Sequence, residues 1–502
     1  MLMLLVSLLV LSCRSWGYER SVVGPGKLWA TSRGTALGPS MGYERSVVGP
    51  GKLWATSRGT ALGPSISKFS VDRVAQQTQL ARDPRWWSAQ DEEGVKFGCT
   101  GCGRCCQNDG VVWLETDEFA DLCESLKMKA EDVLDQYTEE VMSGWVKLKN
   151  KPDTLSQNGN DRCIFLSDID GKTCTIYESR PVQCRTYPYW PKLLFNRTAF
   201  NSQAVMPDDS PAGPHWSAAT GGCEGINHVN STRISNTIVY RNSALYETYT
   251  DSFPFMNSGD DRSRLLSRLG LISGVTRSSR AWVQDFVLKY SLCPFANEVF
   301  SSNRIRFRVY LGSSEVDKII ERVRYEMLAL LTANENDVAT TLLMLPFSFG
   351  SFDEWHQFSL ALEDAVMPLL EQELLGPHAT EGRKKRRLVD KLSSAKSSSS
   401  SSSASAVSAP VPAPSAPPPD IQLAFFHPSF TWSESEEYND PLNFEKRAPF
   451  PTINLLRAAT IRAWANESKT KKIARGNREA LEGAGADELN TSFERIIRLA
   501  LE

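Results

Sequence analysis

The sequence predicts a mixed α/β protein in which a small cysteine-rich domain precedes a larger α/β domain with a mixed or parallel sheet. Eight cysteines lie between positions 99 and 223 if Cys123 is set aside, and strand-like and helix-like hydrophobic patterns alternate beyond position 300. The predicted segments are a targeting leader at 1–70, a cysteine-cluster domain at 83–240, a linker at 241–278, and an α/β domain at 279–502 with a disordered insertion at 380–419.

The composition limits the classes of function. A chain of 502 residues is long enough for two or three domains, and its hydrophobic fraction of 41% is ordinary for a globular protein. A formal net charge of −3 gives no support to nucleic-acid binding, so we expect no nucleic-acid partner. Only five histidines are present, which makes cysteine thiolate the expected main metal ligand.

The N-terminus has the features of a leader. Residues 1–11 are almost wholly apolar, which is too short a run to span a bilayer and is typical of a signal-peptide core. Residues 17–40 recur unchanged at 42–65, which indicates a recent duplication or a gene-model fault. The first 65 residues hold seven Lys or Arg, two Glu and no Asp, as transit peptides do. The combination resembles the bipartite leader of algae with secondary plastids, so we expect a plastid protein that is not transmembrane in its mature form; the alternative is the secretory pathway.

The strongest motif is the cysteine cluster Cys99, Cys102, Cys105 and Cys106, spaced C-x2-C-x2-C-C. A tight C-x2-C turn lets two thiolates hold one metal ion, and the interspersed glycines let the backbone fold closely around it. Neighbouring side chains such as Cys105 and Cys106 diverge, so they are not expected to share one tetrahedral ion. The motif therefore predicts a binuclear site, a cluster, or a site in which one of the pair stays free.

Two helices are predicted after the cluster. The first opens at Thr116, which we expect to be a capping hydroxyl followed by acidic residues. Its hydrophobic spacing places Cys123 on the buried face, so this cysteine is predicted to belong to the core rather than to the ligand set. The second helix is predicted near 130–137.

Three further cysteines follow in two motifs, and a fourth comes later. Cys163 begins a C-I-F-L element, Cys174 and Cys184 lie in C-T-I-Y-E-S-R-P-V-Q-C-R, and Cys223 precedes Glu224 and Gly225. With the first cluster, these motifs resemble the YkgJ-type cysteine-cluster family, which is described as a zinc- or iron-chelating domain and often as an iron–sulfur protein. The resemblance covers about 95–230 and implies a metal site with these ligands: Cys99, Cys102, Cys105, Cys106, Cys163, Cys174, Cys184 and, as the late cysteine, Cys223.

Other interpretations of the cysteines stay open. An even number of cysteines after a signal-like leader is also typical of disulfide frameworks, although sulfurs crowded at C-x2-C-x2-C-C are poorly placed for several relaxed bridges. Thiol exchange is a further alternative. If metal is bound, four thiolates suit zinc and iron–sulfur clusters alike. Arg180 and Arg185, which flank Cys184, either offset thiolate charge or are ordinary surface residues.

The second domain shows an α/β order. Strands are predicted at 304–311, 340–346 and 421–426, with helices from 316 and from 351 between them. Ser351 and Glu354 fit a capping box. The first strand carries Arg304, Arg306 and Arg308 on one face, which we interpret as solvated, with anion binding as the alternative.

Motifs on both sides of the insertion resemble a known family. Cys293-Pro294-Phe295-Ala296, Leu345-Pro346, Phe426-His427-Pro428 and Arg447–Pro451 resemble the domain-of-unknown-function family numbered 1415, over about 280–465. That family brings no agreed activity. The insertion itself, with a basic run and serine and Ala-Pro repeats, is too polar to bury a core.

The sequence therefore predicts a metal-binding protein that holds a zinc or iron–sulfur centre, with redox or cluster-dependent chemistry if the metal is iron–sulfur. One alternative is a zinc-stabilised binding or scaffold module without catalysis. The other is an enzyme in the second domain that uses Cys293 or His427, with other polar residues converging near the end of a strand: Asp440, Asn443, Arg447 and Arg457.

Overall fold

The protein was studied as a computed structural model. Its description covers residues 86–87, 94–107, 110–152, 161–204, 222–253, 262–312, 314–367, 370, 420–432, 438–459, 461 and 467–502. The predicted leader and the predicted insertion at 380–419 lie outside these residues. No helix within these ranges is long and apolar enough to cross a membrane.

The helices are numbered here in chain order. They are α1 (Thr116–Leu126), α2 (Ala130–Tyr137), α3 (Val182–Arg185), α4 (Arg197–Asn201), α5 (Asn236–Asp251), α6 (Arg262–Trp282), α7 (Ala296–Ser301), α8 (Val316–Thr332), α9 (Phe352–Ala361) and α10 (Glu467–Arg498). A π-helical turn, Val283–Leu288, continues α6. Gly485, with φ of 75°, separates α10 into two helical segments.

The strands are short in the cysteine-rich part and longer in the second part. They are β1 (Lys96–Phe97), β2 (Trp113–Leu114), β3 (Thr138–Met142), β4 (Trp145–Leu148), β5 (Asn150–Pro152), β6 (Asp161–Cys163), β7 (Thr232–Arg233), β8 (Ile305–Val309), β9 (Thr340–Met344), β10 (Ile421–Phe426) and β11 (Thr452–Arg457).

The main sheet has four strands in the spatial order β10-β11-β9-β8. β8 and β9 are parallel and are joined through α8, whereas β11 is antiparallel to both β9 and β10. The prediction of a mixed α/β fold is confirmed, and the sheet is mixed. Sequence patterning did not identify β11 as a strand, although it lies in the middle of the sheet and buries Ile453 and Leu455.

The start of α1 differs from its prediction. Its cap is Glu115, whose backbone N–H donates to the Glu118 carboxylate at 3.0 Å. The Thr116 hydroxyl donates instead to the carbonyl of Gly144 at 2.6 Å, so the prediction of Thr116 as the capping hydroxyl is wrong. The prediction for Cys123 is supported, since it is partly buried and packs against the core under α1. At α9, Ser351 caps the helix as predicted.

One hydrophobic core runs through both predicted domains. It joins Trp145 of the cysteine-rich part and Tyr249 of the predicted linker to Val323 of α8 and Leu343 of β9. The predicted linker at 241–278 is helical over 241–251 and 262–278, which belong to α5 and α6. Burial of apolar area is the main stabilising contribution to folding, so this shared core fixes the two parts against each other.

The arginines of β8 are not solvated. The side chains of Arg306 and Arg308 are only 10% and 13% exposed, because β8 lies at the contact with the cysteine-rich part. Arg308 donates to Asp121 of α1 at 3.1 and 2.5 Å, and Arg306 lies 3.7 Å from Glu326 of α8. The solvated interpretation of this face is therefore wrong for these two residues.

Candidate metal centre

The cysteine loop contacts the segment that carries Cys223 at both Gly98 and Arg104. The Gly98 N–H donates to the Gly225 carbonyl at 3.0 Å, and a Cβ at Gly225 would lie 2.3 Å from the Gly98 carbonyl oxygen. Arg104 pairs with Glu224 at 2.7 Å, and the Thr100 hydroxyl donates to the same carboxylate at 3.4 Å. The G-C-E-G sequence around Cys223 thus provides both a close backbone contact and a charged anchor.

The second half of the loop lies against the turn that precedes Cys174. Gly103 has φ of 73°, and a Cβ there would lie 2.6 Å from the Cα of Lys172, so only glycine fits this backbone without movement. The Gln107 side chain donates to the Gly171 carbonyl at 2.9 Å. Between these contacts, residues 104–106 form one 3₁₀ turn that carries Cys105 and Cys106.

Cys163 and Cys174 lie at the two ends of a closed turn. The Leu166 N–H donates to the Cys163 carbonyl at 3.0 Å, and Leu166 forms a β-bridge with Cys174. The Asp170 carboxylate accepts backbone N–H bonds from Lys172 at 2.9 Å and Thr173 at 3.0 Å, which fixes the turn. Local hydrogen bonding therefore returns the chain so that both cysteines approach the loop.

Cys184 is carried by α3. A buried carboxylate orders this short helix, because Glu118 of α1 accepts the Val182 N–H at 2.6 Å. The Cys184 N–H donates to the Pro181 carbonyl at 2.9 Å. Burial raises the pKa of the Cys184 thiol well above its ordinary value, and the nearby thiols of Cys163, Cys105 and Cys174 act in the same direction.

The thiols of Cys105, Cys106 and Cys163 form one hydrogen-bonded group. The sulfurs of Cys105 and Cys106 are 3.9 Å apart. Hydrogen bonding with Cys106 lowers the pKa of Cys105 and of Cys163 to about 7 each, against the opposing effect of burial. The pKa of Cys106 is raised, because its proton is the one shared with the neighbouring thiols. Two of the three sulfurs therefore carry substantial thiolate character near neutral pH.

The other cysteines lie around Cys223. Burial raises the pKa of Cys223 to about 12, and the charges of Cys102 and Cys105 act on it in the same direction. Burial is the main reason that the pKa of the Tyr187 phenol is raised, and the charges of Cys223, Cys105 and Cys102 raise it further. Cys105 thus lies within electrostatic range of both groups of thiols.

The two arginines beside Cys184 have different surroundings. Arg180 stacks on the ring of Tyr177 at 3.6 Å, and its charge lowers the pKa of Cys105, Cys174 and Cys184. Arg185 faces Glu118 instead; burial raises the pKa of that carboxyl to about 7, and the Arg185 charge opposes the rise. The interpretation that an arginine offsets thiolate charge therefore suits Arg180.

All eight candidate cysteines are free thiols. Within the ranges that the structure describes, no three or more Cys, His, Asp or Glu side chains already converge in the geometry of ligands to one ion. The chemistry of the donor set nevertheless fits a thiolate-preferring metal, because all eight donors are thiols and the Arg180 charge lies near Cys105.

His427 is built into the structure rather than aimed at a substrate. It is 2% exposed, its Nδ1 accepts the Ser429 N–H at 3.1 Å, and its Nε2 faces the Phe349 carbonyl at 3.2 Å. Burial lowers its pKa to about 4. Because both ring nitrogens are engaged by backbone groups, the ring has no free nitrogen to activate Cys293.

The remaining residues that were predicted to converge near His427 form hydrogen bonds with backbone groups. Asn443 and Arg447 both donate to the Tyr438 carbonyl, and the Asp440 carboxylate accepts the Leu442 N–H at 2.9 Å. Arg457 lies elsewhere and donates to carbonyls at the end of α8 and just beyond it. Burial raises the pKa of Cys293, which disfavours its thiolate.

The fold and the cysteine arrangement define a chain in which a thiol-rich region is joined to a mixed α/β domain. Residues 98–207 match the family described as "Putative zinc- or iron-chelating domain", and residues 274–376 and 418–491 match the family described as "Protein of unknown function (DUF1415)". Both resemblances given by the sequence motifs are confirmed, and the first supports metal binding as the general role of the thiol-rich region.

One curated relative is an uncharacterized protein of Methanocaldococcus jannaschii, which is 32% identical over 96 residues. The match covers 19% of this chain and 46% of that protein, so the chain spans less than half of the relative's length. No solved structure matches the chain.

Proposed function

We propose that the protein binds zinc or iron through the thiolates of its clustered cysteines. The observation that carries the proposal is the contact of the cysteine loop at 98–106 with two other segments that bear free cysteines, the segment of Cys223 and the turn between Cys163 and Cys174. With Cys184 on α3, the eight predicted ligands are Cys99, Cys102, Cys105, Cys106, Cys163, Cys174, Cys184 and Cys223.

The electrostatics of the loop support this proposal. Thiol ligands bind metal in the deprotonated form, so a site that favours thiolate binds metal more readily at neutral pH. Cys105 and Cys163 have a pKa of about 7, and Arg180 supplies a positive charge beside Cys105. Metal bound here would replace the thiol protons that now keep the sulfurs from repelling one another.

The identity of the metal decides the finer function. An iron–sulfur centre would carry electrons or support cluster-dependent chemistry, with the second domain supplying a substrate pocket. Zinc has no redox chemistry and would make the region a stabilised scaffold for the second domain. An enzyme built on Cys293 and His427 is not favoured, because hydrogen bonds to the backbone engage both nitrogens of His427.

The test uses full-length protein purified without oxygen. Metal analysis, sulfide analysis and the visible spectrum separate the alternatives: iron with labile sulfide and visible absorption supports the redox role, whereas zinc in a colourless protein supports the scaffold role. Cys102→Ser should reduce the bound metal, and Cys123→Ser is the matched control that should leave it unchanged. Absence of both metals with the thiols oxidised to disulfides would reject the proposal.

We also propose that the N-terminal segment directs the protein to a plastid. The support is the apolar start followed by a basic stretch poor in acidic residues. Residues 1–70 fused to a fluorescent reporter in an alga with secondary plastids should accumulate there. Secretion of the reporter would favour the secretory pathway instead. Fluorescence that stays in the cytosol would show that residues 1–70 do not act as a targeting leader.

A further inference from the structure

We infer that the contact between the two domains binds a buried water molecule among the side chains of Arg306, Arg322 and Glu326. These side chains belong to β8 and α8, and α1 of the cysteine-rich part packs against them through Asp117. The site lies apart from the cysteines, so the inference does not depend on the proposed function.

Glu326 is a fully buried carboxylate whose two oxygens accept no hydrogen bond from the described residues. Two guanidinium groups nevertheless lie near it. Arg322 Nη2 is 2.8 Å from Oε1 but is not aligned for a hydrogen bond, and this nitrogen donates to Asp117 instead. Arg306 Nη2 is 3.7 Å from Oε2, which is too far for a hydrogen bond. A buried carboxylate needs hydrogen bonds as well as opposite charge to offset its lost hydration.

Two buried donors beside this carboxylate are also unpaired. Arg306 uses Nε for the Thr341 hydroxyl at 3.2 Å and Nη1 for the Ala329 carbonyl at 3.4 Å, whereas its Nη2 has no hydrogen-bond partner in the described part of the chain. The Nε of Arg322 is likewise without one. This Nε shares an edge of the guanidinium with Nη2, the nitrogen that lies nearest to Glu326. Two donors and two acceptors therefore remain unsatisfied at one buried place.

A water molecule matches this set of groups. It can accept from Arg306 Nη2 and Arg322 Nε and donate to the oxygens of Glu326, and a buried water typically makes about three such bonds. An interval of 3.7 Å between a donor and an acceptor is also one that a bridging water can close. Because an unpaired buried polar atom is costly, the water would stabilise the contact.

An anion is the alternative ligand, and the charges disfavour it. Ion pairs at this contact join three arginines to four carboxylates: Arg306, Arg308 and Arg322 with Glu115, Asp117, Asp121 and Glu326. The arginines are thus already neutralised, and an anion would lie directly against the Glu326 carboxylate, which repels it. A neutral molecule that both donates and accepts hydrogen bonds avoids this repulsion.

The first test counts buried waters in the full-length protein in solution. Oxygen-17 magnetic relaxation dispersion measures the number of water molecules that stay bound long enough to be distinguished from the hydration layer. Glu326→Met removes both acceptors from the site, so the number of long-lived waters should fall by one relative to wild type. An unchanged number in the folded variant would overturn the inference.

Glu482→Met on α10 is the matched control. Glu482 lies 3.7 Å from Arg478, the same separation as between Glu326 and Arg306, but both of its side chains are more than half exposed. Water between exposed groups exchanges rapidly with the solvent, so this variant should keep the wild-type number of long-lived waters. A loss in the control equal to that in Glu326→Met would show that the change does not report a buried site.

A second measurement decides the matter if Glu326→Met does not fold. A high-resolution crystal structure of the wild-type protein should show a water within about 2.6–3.2 Å of both Arg306 Nη2 and a Glu326 oxygen. A direct hydrogen bond between Arg306 and Glu326 without such a water would overturn the inference. So would an anomalous signal at this place in a crystal soaked in bromide, because it would identify an anion site. None of these results depends on whether the cysteines hold metal.

Discussion

Arg322 of α8 pairs with Asp117 in the first turn of α1, and the same guanidinium lies 3.0 Å from Glu115 at the cap of that helix. Arg322 also pairs with Glu326 one turn further along α8, at 2.8 Å. The side chains of Arg322, Asp117 and Glu326 are 10% exposed or less. One cation of the second domain therefore neutralises carboxylates from both domains within a buried contact.

This buried contact is connected through α1 to one of the candidate ligands. The helix whose first turn pairs with Arg322 also carries Glu118, whose carboxylate orders the start of α3 by accepting the Val182 N–H. Cys184 lies two residues further on. The ion pairs thus fix the second domain to the helix that positions one candidate ligand, which gives the fusion of the two domains a physical consequence.

Replacement of Arg322 by alanine should destabilise the protein strongly. The variant leaves Asp117, Glu115 and Glu326 without their shared cation in a buried contact, and breaking a buried ion pair from one side costs about 3–5 kcal/mol. The free energy of unfolding, measured by urea titration, should fall by this order.

A matched control is Arg475→Ala on α10. Arg475 and its partner Glu479 are both more than 69% exposed, and their closest approach is 3.8 Å. An exposed pair of this kind contributes about 0–1 kcal/mol, so the control should unfold close to wild type. Equal losses for the two variants would contradict the importance assigned to the buried network.

The comparison of sequence and structure shows where local patterns suffice. The hydrophobic spacing that predicted α1 and placed Cys123 on its buried face depends only on neighbouring residues, and so does the cap at Ser351. β11 was missed as a strand, because its central place depends on pairing with β9 and β10, which are remote in the chain. Strand order is set by contacts that no local pattern contains.

The same limit explains the arginines of β8. Strict alternation correctly indicated a strand, but it could not show that Arg308 meets Asp121, a residue almost two hundred positions earlier. A charged residue is buried when a partner compensates its lost hydration, and that partner came from another domain. At the candidate metal centre, the motifs identified the cysteines but not the anchors formed by Glu224 and by the glycine at position 225.

Gly225→Ala should weaken metal binding at the loop at 98–106. Its Cβ would lie 2.3 Å from the Gly98 carbonyl oxygen, which is a backbone atom and cannot rotate away. Overpacking of this kind costs about 1–3 kcal/mol, and here it separates the loop from the Cys223 segment. The affinity of the protein for zinc, measured by competition with a chelator, should fall.

Gly270→Ala provides the corresponding control within α6. No atom lies within 4 Å of a Cβ built at that position, and alanine stabilises a helix interior relative to glycine by about 0.5–1 kcal/mol. This variant should bind zinc normally and should be slightly more stable. Normal zinc binding by Gly225→Ala would mean that the 98–225 contact does not shape the centre.

Arg180→Gln should make the metal-free thiols less reactive. The Arg180 charge lowers the pKa of Cys105, Cys174 and Cys184, so its removal raises the pKa of all three and reduces the thiolate fraction at neutral pH. Alkylation of Cys105 in metal-free protein at pH 7 should slow several-fold. Arg197→Gln, which removes a cation stacked 5.4 Å from the Trp86 ring centroid, is the control and should leave that rate unchanged. An unchanged alkylation rate in Arg180→Gln would mean that the Arg180 charge does not lower the pKa of Cys105.

His427 should make the second domain sensitive to acid. Burial lowers the pKa of His427 to about 4, whereas in the unfolded chain a histidine has a pKa of about 6.5. Between these values the unfolded state binds a proton that the folded state does not, so the free energy of unfolding falls as the pH is lowered from about 6.5 to 4. The loss approaches about 3 kcal/mol at the lower limit, and above pH 6.5 the contribution is constant.

His427→Gln removes this titration, so the difference in unfolding free energy between wild type and variant should be greatest near pH 7 and should shrink as the pH falls towards 4. Urea titrations across this range measure the difference directly. His228→Gln is the matched control, because His228 is exposed and lies outside the second domain; it should follow the wild-type curve. A difference between wild type and His427→Gln that does not change with pH would mean that the pKa of His427 is the same in the folded and unfolded protein. That result would contradict the buried, neutral ring, with Nδ1 accepting from Ser429 and Nε2 donating to Phe349, on which its structural role depends.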